Sequence, residues 1–172
     1  MLDFLSEENI EIHKESVRQK KLKLSIIEKS VEGIKGANIR EIMRQKLKKN
    51  DRDDALALMS DIRLHEIFFS SFAENTYSSS EPVKRRYGSE ASFLNELYRE
   101  CMSQCFGFVC VFFLEGNVSI ETAAFELHKL FYHSDPILAI DVSEHAYFLD
   151  YGFDKERYLR SALPYLDLSR LK

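Results

Sequence analysis

Three histidines and one aspartate in this chain have the types and spacing to hold a metal ion. Near the end of the sequence, "AIDVSEHAYFLDY" (139–151) delivers Asp141 from an apolar, strand-like run and His145 four residues later. A carboxylate and an imidazole so spaced can be a metal-binding pair, one arm of a catalytic triad, or a helix start with an incidental histidine. Two further histidines, His13 and His65, each fall within the apolar stripe of a helical segment. Taken singly, such a histidine is more often a satisfied core residue than a ligand, since histidine is intermediate in burial preference. Two antiparallel helices that each turn one imidazole inward, joined by Asp141 and His145, make a stronger case. Three imidazoles and one carboxylate form a hard-to-borderline donor set suited to iron or manganese, and they leave a position open. A closed zinc site more often uses cysteines at short, repeated spacing. A Ser-His-Asp hydrolase fits less well, because the chain has no G-x-S-x-G elbow.

The elements that must position these groups follow from the hydrophobic period. Ser6 is a candidate N-cap followed by acidic first-turn residues, and Ile10, His13, Val17, Leu24 and Ile27 then recur at helical steps. "EGIKGAN" (32–38) interrupts with two glycines; a second helix is expected over 39–49 and a third over 51–72. The third carries Leu58, Ile62, His65, Phe69 and Phe72 on one face. The serine-rich stretch 73–89 reads as a linker or surface loop, and helix resumes over 90–103. The period then shortens to two over 108–117, 118–125 and 137–143, with "EGN" as a tight hairpin turn between the first two. Helical segments close the chain. The expected class is α+β, in which an N-terminal helical hairpin half (1–75) packs on a C-terminal α/β half (76–172) with a small three-stranded antiparallel sheet.

Composition narrows the function classes. A formal net charge of −4 gives no bulk attraction to nucleic acid or anionic membrane. The basic runs "RQKKLK" (18–23) and "RQKLKK" (44–49) read as solvated helix faces, not a groove-matching surface. "MLDFLSEEN" has no signal-peptide pattern, and the longest apolar stretch, "FGFVCVFFL" (106–114), is too short to span a bilayer. A cytoplasmic location is expected, with Cys101, Cys105 and Cys110 reduced and mostly packed in the core.

Several segments together resemble the iron/manganese superoxide dismutase family. "DVSEHAYFLDY" is similar to the family signature Asp-Val-Trp-Glu-His-Ala-Tyr with its following Asp-Tyr. "SEENIEIH" resembles the first-helix run that ends in the family's first histidine ligand, and "IRLHEIFFSSF" resembles the segment around the second. "GSEASFLNELYRECMSQCFGFVCVFF" follows the family's Gly-Ser-Phe…Phe-Gly-Ser-Gly-Trp stretch in order and position. The resemblance implies that His13, His65, Asp141 and His145 hold one Fe or Mn ion per chain. It also implies dismutation of superoxide, the small-molecule substrate, to oxygen and hydrogen peroxide, by cycling between the 3+ and 2+ states.

The residues around the implied ligands depart from the family. Lys21 stands at the position of its gateway tyrosine, and Asp61 at that of a glutamine found in the iron enzymes. Val17 and Phe148 replace a histidine and a tyrosine that meet at the family's dimer interface, Ser143 replaces a tryptophan, and the chain has no tryptophan at all. Glu144 matches the glutamate that reaches across that dimer to the opposite ligand histidine. Three expectations follow: a homodimer with a more apolar interface at Val17 and Phe148; a Lys21–Asp61 ion pair at the substrate mouth; and weakened dismutation. The charge and apolar pattern above add that no nucleic-acid or membrane partner is expected. The alternative is a family-fold protein that has lost dismutation and serves as a partner-binding or structural subunit.

Overall fold

The computed structural model describes residues 3–73 and 80–172. The first helix, α1 (Glu7–Ser30), begins where the Ser6 side chain accepts the Asn9 backbone N–H at 3.2 Å and Glu7 and Glu8 face the helix dipole. It ends before the glycine-containing turn 32–38. There Asn38 and Glu41 form a reciprocal capping box that starts α2 (Ile39–Arg44).

This second helix is shorter than the periodicity suggests. Nothing in "QKLK" breaks a helix by propensity, but Gln45 turns to an extended conformation and donates its amide to the Gly33 carbonyl at 2.9 Å. The chain restarts as α3 (Lys49–Ser70), two residues before the expected start. Phe72 lies beyond its end, in an isolated bridge with Leu166, rather than on the helical stripe. The buried face of α3 is also broader than one stripe, since Ala55, Leu56, Leu64, Ile67 and Phe68 join Ile62 and His65 in the interior.

The expected surface linker 73–89 lies partly outside the described residues, at 74–79. Its second part is not loop but helix, α4 (Glu81–Tyr87), because the Ser80 hydroxyl caps Val83 N–H and Pro82 sits in the first turn, where its missing N–H costs nothing. Ser89 then caps α5 (Glu90–Ser103).

Three strands follow: β1 (Phe108–Leu114), β2 (Asn117–Ala123) and β3 (Leu138–Asp141), ordered β2-β1-β3 and antiparallel throughout. Leu114 pairs with Asn117, so the hairpin loop is Glu115-Gly116, both at positive φ (50° and 79°) as a primed two-residue turn demands. Pairing of Phe108 with Asp141 sets where β3 ends. A single turn (Glu144–Ala146) and two short helices, α6 (Phe148–Tyr151) and α7 (Lys155–Ala162), follow.

The fold is thus α+β, with helices before a small three-stranded antiparallel sheet. One hydrophobic core joins both halves, drawing Leu64 and Phe68 from α3, Val109 and Val111 from β1, Ile140 from β3 and Tyr158 from α7. Cys101 and Cys110 are buried within it, while Cys105 is exposed, and all three are free thiols. Among the described residues no helix is long and apolar enough to cross a membrane.

Candidate metal centre

His13 and His65 arrive from α1 and α3 with their rings already oriented. His13 Nδ1 lies 3.0 Å from the Asn9 carbonyl and His65 Nδ1 lies 2.8 Å from the Asp61 carbonyl, each one helical turn earlier on its own helix. An N–H on Nδ1 satisfies that contact and leaves Nε2 as a lone pair pointing away from the helix. Asn9 is itself fixed, donating its amide to Ala146 O at 3.3 Å and Asp150 Oδ2 at 3.0 Å. The start of α1 is thereby tied to the turn that carries His145.

Asp141 ends β3 with no solvent exposure. Its Oδ1 accepts the Ser143 N–H at 2.9 Å, and Tyr158 donates its hydroxyl to the Asp141 carbonyl at 3.0 Å. Its Oδ2 lies 3.0 Å from His145 Nε2 and 3.7 Å from His65 Nε2. Close β1–β3 pairing places it there. Gly107, just before β1, has φ +97°, accepts the Val142 N–H at 3.0 Å and donates to Ser143 Oγ at 3.0 Å.

The four groups converge. One donor atom from each of His13, His65, Asp141 and His145 lies within 4.8 Å of the others. Two ligands on opposite sides of an ion at about 2.0–2.2 Å stand roughly 4.0–4.4 Å apart, so a small side-chain adjustment closes the set. The fit is also chemical. His13 Nε2 and His65 Nε2 are fully buried with no hydrogen-bond partner, and Asp141 Oδ2, equally buried, meets only the imidazoles of His145 and His65. Buried polar atoms are normally paired, and leaving one unpaired costs about 1–3 kcal/mol. Two such nitrogens and a carboxylate aimed at one point are what a cation would satisfy.

The electrostatics of His13 and Asp141 agree with that reading, while those of His145 run the other way in the metal-free chain. Burial lowers the His13 pKa, outweighing the contributions of Asn9 and Asp141 that raise it, so the imidazole is kept neutral as a ligand must be. Burial alone would raise the Asp141 pKa. His145, His65 and the Ser143 N–H overcome it and hold the carboxyl below its usual range. His145 is raised by the Asp141 carboxylate beside it.

The expected Lys21–Asp61 pair does not form. Asp61 pairs with Lys20, and Lys21 reaches outward to Glu66 Oε1 at 2.8 Å. Helix rotation explains the exchange. At 3.6 residues per turn, seven residues bring Lys20 to within about 20° of the bearing of His13, whereas eight carry Lys21 about 80° away. Asp61, one turn before His65, therefore meets Lys20 and holds its Oδ1 3.6 Å from His65 Nδ1. Lys20, Asn9 and Tyr158 are site neighbours that the sequence reading does not single out, and only Lys20 was within reach of that rotation argument. Val17 is half-buried, and Phe148 and Glu144 are exposed.

No curated protein matches the chain. Residues 75–171, more than half of the sequence, match the family described as iron/manganese superoxide dismutases, C-terminal domain. That range holds Asp141 and His145, and α1 and α3 before it bring His13 and His65 to the same point. The chain belongs to the iron/manganese superoxide dismutase family.

Proposed function

We propose that the chain holds one Fe or Mn ion at His13, His65, Asp141 and His145 and dismutes superoxide to oxygen and hydrogen peroxide at reduced turnover. The observation that carries this reading is the convergence of two partnerless buried imidazole nitrogens with the buried Asp141 carboxylate and His145, all within 4.8 Å. The ion would supply one-electron cycling between its 3+ and 2+ states. Anionic Asp141 favours the higher charge, while the three imidazoles keep the lower one accessible.

The protein also offers an approach for an anion. A cleft of about 480 Å³ beside the centre is lined by Lys14, Arg18 and Lys21 against the single acid Glu66. Its apolar wall includes Val17 and Phe69, and the Phe69 ring lies 5.9 Å from that of His13. Arg18 is paired with Glu11 and Glu15 and Lys21 with Glu66, so among the described residues Lys14 is the lining cation without an ion pair, placed to draw a small anion.

Reduced turnover follows from what these neighbours cannot do. Val17 and Phe148 carry no exchangeable proton, and the Lys21 ammonium is engaged by Glu66. The carboxylate at position 61 is charge-paired to Lys20. Proton delivery to the reduced oxygen species therefore lacks a hydroxyl or amide at these matched positions.

We further propose a homodimer through the face that carries Glu144. Phe148 (49% exposed), Leu149 (48%) and Phe153 (78%) form an apolar patch there, next to His145. The test is metal analysis of purified protein beside a superoxide dismutation assay, on the wild type and on His65→Leu. Stoichiometric Fe or Mn with measurable turnover, both lost in His65→Leu, is the expected result. Bound metal without turnover would favour the reading of a family scaffold that has lost dismutation, and no metal uptake would overturn both the site and the activity.

A further inference from the structure

A second cleft, of about 790 Å³, opens between α1, α2, α3 and the segment that leaves β2. Lys20 and Asp61 line it, but none of the four donor residues does. Its volume falls within the range of about 300–1,000 Å³ typical of small-molecule sites. That is also about 25 times the roughly 30 Å³ that one water occupies in the liquid. A diatomic ion such as superoxide does not account for a space of that size.

The lining has two characters. Met43, Leu56, Leu58 and Leu127 give it an apolar floor. At its mouth Phe125 is 76% exposed, with its ring 4.9 Å from that of Phe106. An aromatic side chain so exposed beside an apolar cavity offers a surface to a ligand with hydrocarbon of its own.

The charges decide the sign of that ligand. Each acid of the wall already has a cation: Asp53 lies 3.4 Å from Arg52, Asp61 pairs with Lys20, and Glu126 lies 2.6 Å from Lys129. Lys49 and His128 also line the cleft, and among the described residues neither enters an ion pair. The polar lining side chains left without an ion pair are thus Lys49, His128 and the hydroxyl-bearing Tyr132, of which Lys49 is the cation.

We propose that this cleft binds a small organic carboxylate, its head on the Lys49 ammonium and its apolar body against Leu56, Leu58 and Leu127. The cleft shares the Lys20–Asp61 pair with the surroundings of the metal centre, but its binding does not depend on a bound ion. Octanoate is a suitable probe, with octylamine as the control of equal length and opposite charge.

Calorimetric titration of the full chain with octanoate should give saturable one-site binding at or below millimolar concentration, and octylamine should give none. Lys49→Glu should weaken octanoate about tenfold or more, which corresponds to about 1.4 kcal/mol. The variant keeps its fold, because an acid in the first turn of α3 suits the helix dipole. In the wild type, magnetisation transfer should connect octanoate protons with the methyl groups of Leu56 and Leu58. Absence of saturable binding, equal binding of octylamine, unchanged affinity in Lys49→Glu, or contacts to other methyl groups would each overturn the proposal.

Discussion

Lys20 and Asp61 close an ion pair between α1 and α3 on the bearings of the two histidines that those helices turn inward. Their side chains are only 26% and 22% exposed, whereas the neighbouring Lys21–Glu66 pair is 54% and 42% exposed. The two pairs should therefore differ in energy. Lys20→Met leaves the Asp61 carboxylate without its cation beside His65 and should cost about 1–3 kcal/mol in urea unfolding. Lys21→Met should cost less than about 1 kcal/mol, as surface pairs do. Adding Asp61→Asn should recover much of the loss in Lys20→Met, and equal costs for the two lysines would refute this ranking.

Metal should stabilise the fold measurably. An ion that binds only the native state, at 100 to 1,000 times its dissociation constant, adds about 2.7–4.1 kcal/mol. At roughly 2–4 °C per kcal/mol for a chain of this size, the melting temperature should rise by about 5–16 °C. Scanning calorimetry of metal-free protein with and without Mn(II) reads this directly. His65→Leu should show no such rise, and a rise of the same size in that variant would place the ion elsewhere.

The apolar patch around Phe148 should govern assembly. Phe148→Arg sets a charge within Phe148, Leu149 and Phe153, with the Phe148 ring 5.1 Å from that of Phe153. The wild type should sediment as a dimer and this variant as a monomer at the same concentration, with both retaining helical circular dichroism. A wild type that is monomeric at micromolar concentration would refute the dimer.

Gly107 should tolerate no side chain. Its φ is +97°, and a Cβ there would stand 2.2 Å from the Ala123 carbonyl oxygen and 2.7 Å from Ala124 Cα, both backbone atoms. Gly107→Ala should therefore lose at least about 2 kcal/mol in unfolding, from strain together with displacement of strand β2. Gly36→Ala is the control, because its φ is also positive (+77°) but no atom lies within 4 Å, so it should lose less.

The sequence announces elements wherever a local signal and the tertiary structure agree. Ser6 and Ser89 mark helix starts, and Glu115-Gly116 marks the hairpin. The inward turn of His13 and His65 is readable from their apolar stripes, since helical period and burial point the same way. Signals set by contacts far along the chain are not readable in this manner. The break after Arg44 depends on a hydrogen bond from Gln45 to Gly33, with no breaker residue present. The need for glycine at 107 arises from the approach of Ala123 and Ala124, which sequence spacing does not reveal. Lys21 differs for another reason: family spacing points to Lys21, whereas the rotation of α1 turns Lys20 toward Asp61.

The four donors differ in how they meet solvent. The His65 and Asp141 side chains are fully enclosed, while that of His145 is 56% exposed. For an ion held here the asymmetry would set an order: His13, His65 and Asp141 are already fixed by helix and backbone contacts, so surface-facing His145 would be the last arm to close and the first to release. Residence time would then follow the swing of one surface imidazole and not unfolding of the core, and a dimer built on the Phe148 face would slow that swing.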